Sequence, residues 1–327
     1  MRVNSAVSLL VALAAAVTVG LVVPPGDTGD LAFFVHSAER LFSSDWAATY
    51  SDPALQVGPL QLLVLGALDA AADLVGISST RLIGALFGAV VVTLFWLIAR
   101  RLLDGRGGRW ALTAAVLAPV ALSYTFDAYR DGHPAQALVP LLWVLAGFEV
   151  RAGRAWLAGL LIGVSAGFEV WGILGVAIVV LAPRLWDATR ACAAATLVLV
   201  ALLVPFALAG DFGMFEYRWV VNGDTLLSLL VEPGTAFTWP LRVLQGATAI
   251  LAGAGVAWSL HRSAAALWAG PLALVAVRLA LDPVRYPWYW LAVDTLVLVG
   301  AVHVLGHLER VSVPEQRSRL VWTRSPS

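Results

Sequence analysis

The chain has 327 residues, of which 60% are hydrophobic and 13% charged, with 21 basic side chains balancing 21 acidic ones. Soluble globular domains carry about 25% charge, so the composition excludes that class and implies an all-α polytopic membrane protein. Zero net charge leaves no basic footprint for nucleic acid, and a single cysteine, Cys192, excludes an internal disulfide framework or a cysteine metal site.

Taken in order, residues 7–23 form a first apolar run after Arg2, long enough to span a hydrocarbon core of about 30 Å with help from its flanks. No small-x-small cleavage site precedes Pro24, so the run reads as a retained helix and not a signal peptide. A polar outer loop over 24–81 follows. In it Leu31, Phe34, Val35, Ala38, Leu41 and Phe42 recur at helical spacing, which predicts an amphipathic helix lying on membrane or protein. Asp30 stands at its start, as an N-cap, as a carboxylate able to take a proton from an incoming hydroxyl, or as both. Asp27 is its nearest rival. Residues 57–76 carry Asp69 and Asp73 on one helical face, each costing about 2.5–3.5 kcal/mol at mid-membrane, and so read as an interfacial helix on the outer side.

Nine further apolar runs follow, near 82–99, 110–124, 135–149, 155–168, 170–183, 191–209, 241–260, 264–281 and 289–308. Arginine-rich connections fall between alternate runs, and the positive-inside rule gives about ten transmembrane helices with both termini cytoplasmic, in a plasma (inner) membrane. The transmembrane domain then covers 1–309 and a cytoplasmic tail 310–327. Runs 155–168 and 170–183 are each short of a full span and read as a helical hairpin whose tip carries Glu169, a carboxylate tolerable at that depth only beside a water-filled cavity. A second long outer loop, 210–240, is expected to hold an interfacial helix of its own and carries Arg218. Two short outer connections add Arg130, Asp131 and His133, then Arg285 with Tyr289 in an aromatic stretch.

One N-terminal span, then an outer loop ordered Asp30, His36, Glu39, Arg40, Leu41, Asp45, Trp46, Tyr50 and ending in Gly58, Pro59 and Leu60, resembles the first external loop of the GT-C superfamily of polyprenyl-phosphate-dependent glycosyltransferases, which includes mannosyltransferases. The order of elements continues the resemblance over roughly residues 1–300. Many members read Tyr-Pro-Pro-Leu or Lys-Pro-Pro-Leu where this chain has Val57, Gly58, Pro59 and Leu60, and the family-87-like branch usually carries Lys where this chain has Glu169.

The resemblance implies transfer of a sugar from a polyprenyl-phosphate donor to a lipid or cell-envelope glycan acceptor on the outer face, with inversion and with Asp30 as base. Asp127 or Asp131 would take the second-loop acidic position. His133 is placed to orient a phosphate or a sugar hydroxyl, or to cap the following span. Arg130, Arg218 and Arg285 are the outward candidates for phosphate, because the planar guanidinium can pair with two oxygens. A divalent cation on Asp30, Asp131 and His133 stays open, although the three lack a regular ligand spacing. The alternatives are a lipid or small-solute transporter or flippase, and an inactive GT-C relative.

Overall fold

Backbone amides in hydrocarbon must find partners within the segment, so apolar runs close as helices. The computed structural model describes residues 5–22, 29–103, 109–122 and 132–322, and it is mostly helical. The α-helices are α1 (Ser5–Val22), α2 (Gly29–Leu41), α3 (Pro59–Val75), α4 (Ser79–Leu102), α5 (Arg109–Ala121), α6 (Ala135–Arg151), α7 (Ala155–Phe168), α8 (Leu185–Ala209), α9 (Trp239–Ser259), α10 (Ala266–Ala280) and α11 (Trp290–Trp322). Among the described residues, four helical stretches are long and apolar enough to cross a membrane: α4, α8, α9 and Pro287–Glu309, a 3-10 turn running into α11.

Helix α6 is the centre of the bundle. It is apolar nearly all round, and every residue in it except Phe148 and Arg151 is buried, which is how a helix without a polar face must sit. Its 17 residues set two ends roughly 25 Å apart. At one end Glu149 is buried against Arg101 and Arg154, and Arg151 caps carbonyls of His261 and Ser263. At the other end lies His133, and α7 runs back from Arg154 to bring Glu169 to the same end.

The hairpin expected over 155–183 forms, but its return arm, Val170–Leu181, is a 3-10 helix and not an α-helix. Such a helix rises about 2.0 Å per residue, so 12 residues reach roughly 24 Å where an α-helix would reach about 18 Å. Trp143 pins its start: the buried indole N–H donates to Gly172 O at 2.8 Å and to Ser165 Oγ at 3.1 Å. Cβ atoms at Gly172 and Gly175 would collide with the Ser165 backbone and the Trp143 ring, so glycine is what lets the arm lie this close.

The polar segment that follows α1, read from sequence as an outer loop, holds two helices, α2 and α3, with a 3-10 turn at Trp46–Ser51 between them. The second departs from expectation. Residues 210–238 hold no α-helix, only 3-10 turns at Met214–Glu216 and Leu226–Leu229 and a two-stranded antiparallel ribbon, β1 (Trp219–Val220) with β2 (Ala236–Phe237). Aromatic and β-branched residues favour the extended ribbon, and Gly234, at φ 90°, supplies the left-handed turn that closes it.

Candidate active site

Asp30 lies in the first turn of α2, where the helix N-terminus favours an anion. His133 reaches it because Gly132, at φ 76°, lets the chain press against α2; a Cβ there would collide with the backbone of Asp30 and Leu31. The ring is then held between Trp288, stacked on it with centroids 4.6 Å apart, and Phe34, which meets it edge-on at 5.3 Å.

Glu169 is the extended residue at the hairpin tip, and the segment between α2 and α3 holds it there. Val57 pairs with Glu169 in an antiparallel bridge, Gly58 N donates to Phe168 O at 2.9 Å, and Tyr50 OH donates to Val57 O at 3.0 Å. Gly58 therefore has a local cause. A Cβ at this position would collide with Gly167 O, and a proline, as in the resembled pattern, would lack the N–H that Phe168 accepts.

The three groups meet at His133. Its Nε2 lies 3.2 Å from Asp30 Oδ2 and its Nδ1 lies 3.4 Å from Glu169 Oε1, an oxygen that also accepts from Gln136 Nε2 at 3.2 Å. Ionised carboxylates only accept, so satisfying both contacts requires an imidazolium with two N–H donors. Burial alone would depress the basicity of His133, but its hydrogen bonds to Asp30 and Glu169 and their charges outweigh that, and its pKa is raised. Burial, then the charge of Glu169, pushes the Tyr50 hydroxyl well above the usual tyrosine range. Asp30 is 48% exposed, and among the described residues its Oδ1 has no partner.

These groups open into a cavity of about 710 Å³, inside the usual range of about 300–1,000 Å³ for small-molecule sites. Two cations also line it. Arg242 NH1 donates to Asp282 Oδ2 at 3.0 Å and to Gln245 Oε1 at 2.8 Å, while Arg278 NH2 lies 3.7 Å from the same Asp282 oxygen. Two guanidiniums thus share one buried carboxylate, leaving one net positive charge at the wall. Arg242 lies 4.0 Å over the Trp219 ring, and Arg278 sits 4.8 Å over Trp171 and 4.9 Å over Tyr289. These contacts use one terminal nitrogen of each arginine, which leaves further N–H donors for a ligand.

Of the residues singled out from sequence, Asp30, His133, Glu169 and Tyr289 line this one cavity. Arg218 and Arg285 do not; both are exposed outside its lining. The cations that do line it are Arg242 and Arg278, which sequence reasoning passed over as phosphate ligands. Arg242 lies in the first turn of α9 and Arg278 in the last turn of α10, positions where arginine ordinarily snorkels to an interface, so neither stands out in the sequence as an ionisable group within a span. Arg278 pairs with Asp282 one turn on. Asp27, Asp127, Arg130 and Asp131 lie outside the described residues. Among the described residues no group of three His, Cys, Asp or Glu side chains is arranged to hold a metal ion.

Comparison of this chain with protein-family models, with curated proteins and with solved structures finds no match.

Proposed function

We propose that this chain is a membrane glycosyltransferase of the GT-C type, with about ten transmembrane helices and both termini cytoplasmic, acting on the outer face of the inner membrane. The donor is a polyprenyl-phosphate sugar. The supporting observation is that a half-exposed carboxylate and two guanidiniums sharing one counter-ion line the same cavity.

In the reaction the acceptor oxygen bonds to the anomeric carbon while the bond from that carbon to the phosphate oxygen breaks, inverting the centre. The hydroxyl proton passes to Oδ1 of Asp30, whose other oxygen His133 holds. The bonding electrons leave with the phosphate, whose charge Arg242 and Arg278 stabilise. Preorganised charge of this kind is worth most where water is excluded.

The test is transfer by the purified full-length protein from a panel of radiolabelled polyprenyl-phosphate sugars, with Asp30→Asn beside the wild type. We expect transfer by the wild type and a loss of at least about 100-fold in the variant, the scale of general base catalysis. Undiminished transfer by the variant removes Asp30 from this role. No transfer from any donor overturns the enzyme reading in favour of a transporter or an inactive relative.

A further inference from the structure

We propose that Gln245 is the positioning residue of the phosphate site: its amide fixes Arg242 and Arg278 and, being uncharged, leaves one of the two guanidiniums for an anionic ligand. The inference rests on the transferase reading above and assigns the residue that sets the charge of that same site.

Gln245 lies about one turn after Arg242 on α9, lines the cavity and is 4% exposed. Its Oε1 accepts from Arg242 NH1 at 2.8 Å, and its Nε2 donates to Arg278 O at 2.7 Å and to Asp282 Oδ2 at 3.4 Å. The bond to Arg278 O has a local cause. Arg278 stands in the last turn of α10, and the amide four residues on, Asp282 N, bonds to Leu279 O at 3.2 Å instead. Gln245 supplies a donor to a carbonyl that the helix end leaves over. One amide thus ties the guanidinium on α9 to the backbone that carries the guanidinium on α10. With both amide hydrogens engaged it has none for a ligand, so it acts through the arginines.

The position demands an amide. One side of the group faces a guanidinium, and the other faces a carbonyl and a carboxylate, so it must accept on one side and donate on the other. An ionised glutamate would set its own acceptor against two more, and an apolar side chain would leave the Arg278 carbonyl without this donor. The charge count points the same way. The Arg242 and Arg278 side chains are 14% and 8% exposed, and among the described residues Asp282, at 1%, is the carboxylate that both meet. A second carboxylate at 245 would balance the two cations, and the amide does not. The site therefore keeps a mostly buried cation in excess, which is costly while the site is empty and is relieved when an anion enters. A phosphate diester brings the one negative charge that this excess matches.

Binding to the full-length protein in detergent micelles, followed by phosphorus NMR, tests this without any turnover. The probes are citronellyl methyl phosphate, a singly charged diester, and citronellyl dimethyl phosphate, the uncharged triester on the same tail. We expect saturable binding of the diester by the wild type. Gln245→Glu should weaken it about 10-fold or more, the scale of a charge-assisted hydrogen bond, and leave the triester unchanged. A merely structural role would move both probes alike. Gln245→Glu combined with Asp282→Asn returns the count to one carboxylate for two guanidiniums and should regain several-fold over Gln245→Glu alone. If that double variant does not fold, Gln245→Met keeps the net charge without the hydrogen bonds and should weaken the diester less than Gln245→Glu does. No saturable diester binding, wild-type diester affinity in Gln245→Glu, equal loss of both probes, or no recovery in the folded double variant overturns the proposal. Diester binding that depends on Gln245, without transfer from any donor, would sink the transferase reading and leave this one. Transfer with an unchanged donor KM in Gln245→Glu would do the reverse.

Discussion

His133 Nε2 lies 3.2 Å from Asp30 Oδ2, and the opposite nitrogen of the same ring meets Glu169, a residue 36 positions further along the chain. An imidazolium in this place neutralises one of two carboxylates that would otherwise repel each other, and it holds one oxygen of Asp30 while, among the described residues, the other has no partner.

A pH dependence follows. The pKa of His133 is raised in the fold, so the folded chain binds its proton more tightly than the unfolded chain, whose histidine titrates near about 6.5. The stability this contributes is fully present below that value and is lost as pH rises through the folded pKa. Thermal unfolding followed from about pH 6 to about pH 9 should show a falling midpoint for the wild type and a flatter profile for His133→Gln. Glu169→Gln should lower the His133 pKa as read by histidine NMR. A wild-type midpoint that rises over this range would contradict the charged ring.

The contact of Gly58 with the hairpin tip is equally open to test. Gly58→Ala places a methyl against Gly167 O in a segment whose N–H already bonds to Phe168 O. Overpacking of this kind costs about 1–3 kcal/mol, and here it should also displace Glu169 from His133. Unfolding in a denaturant series should register the loss, and the His133 resonance should move with it. An unchanged spectrum would mean that the tip is not seated by the first outer loop.

Asp282 and its two arginines should respond unequally. Removing the carboxylate in Asp282→Asn leaves two cations facing each other with no counter-ion, and breaking such a buried pair costs about 3–5 kcal/mol. Arg278→Met should cost less, because Arg242 keeps its 3.0 Å bond to Asp282. In transfer assays, Arg242→Met and Arg278→Met should raise the donor KM about 10-fold or more, on the scale of a charge-assisted hydrogen bond, with little change in acceptor KM. An effect on the acceptor alone would place the phosphate elsewhere.

The sequence by itself determined the features that depend on local chemistry. Apolar runs had to close as helices, and arginine clusters marked one end of them. Asp30 at a helix start, and Glu169 at the turn of two short apolar runs, were legible because each interrupts a local pattern. Tertiary structure decided the rest. Arg242 meets Asp282, a residue 40 positions on, only because α9 and α10 pack side by side, while Arg218 and Arg285, more conspicuous in sequence, turn outward. The return arm of the hairpin is a 3-10 helix where a Trp143 hydrogen bond from α6 pins its first turn. Nor could spacing show that His133 would stand between two carboxylates. That arrangement needs α2, the α6 entry and the hairpin tip at one end of the bundle, and long-range packing sets it, not periodicity.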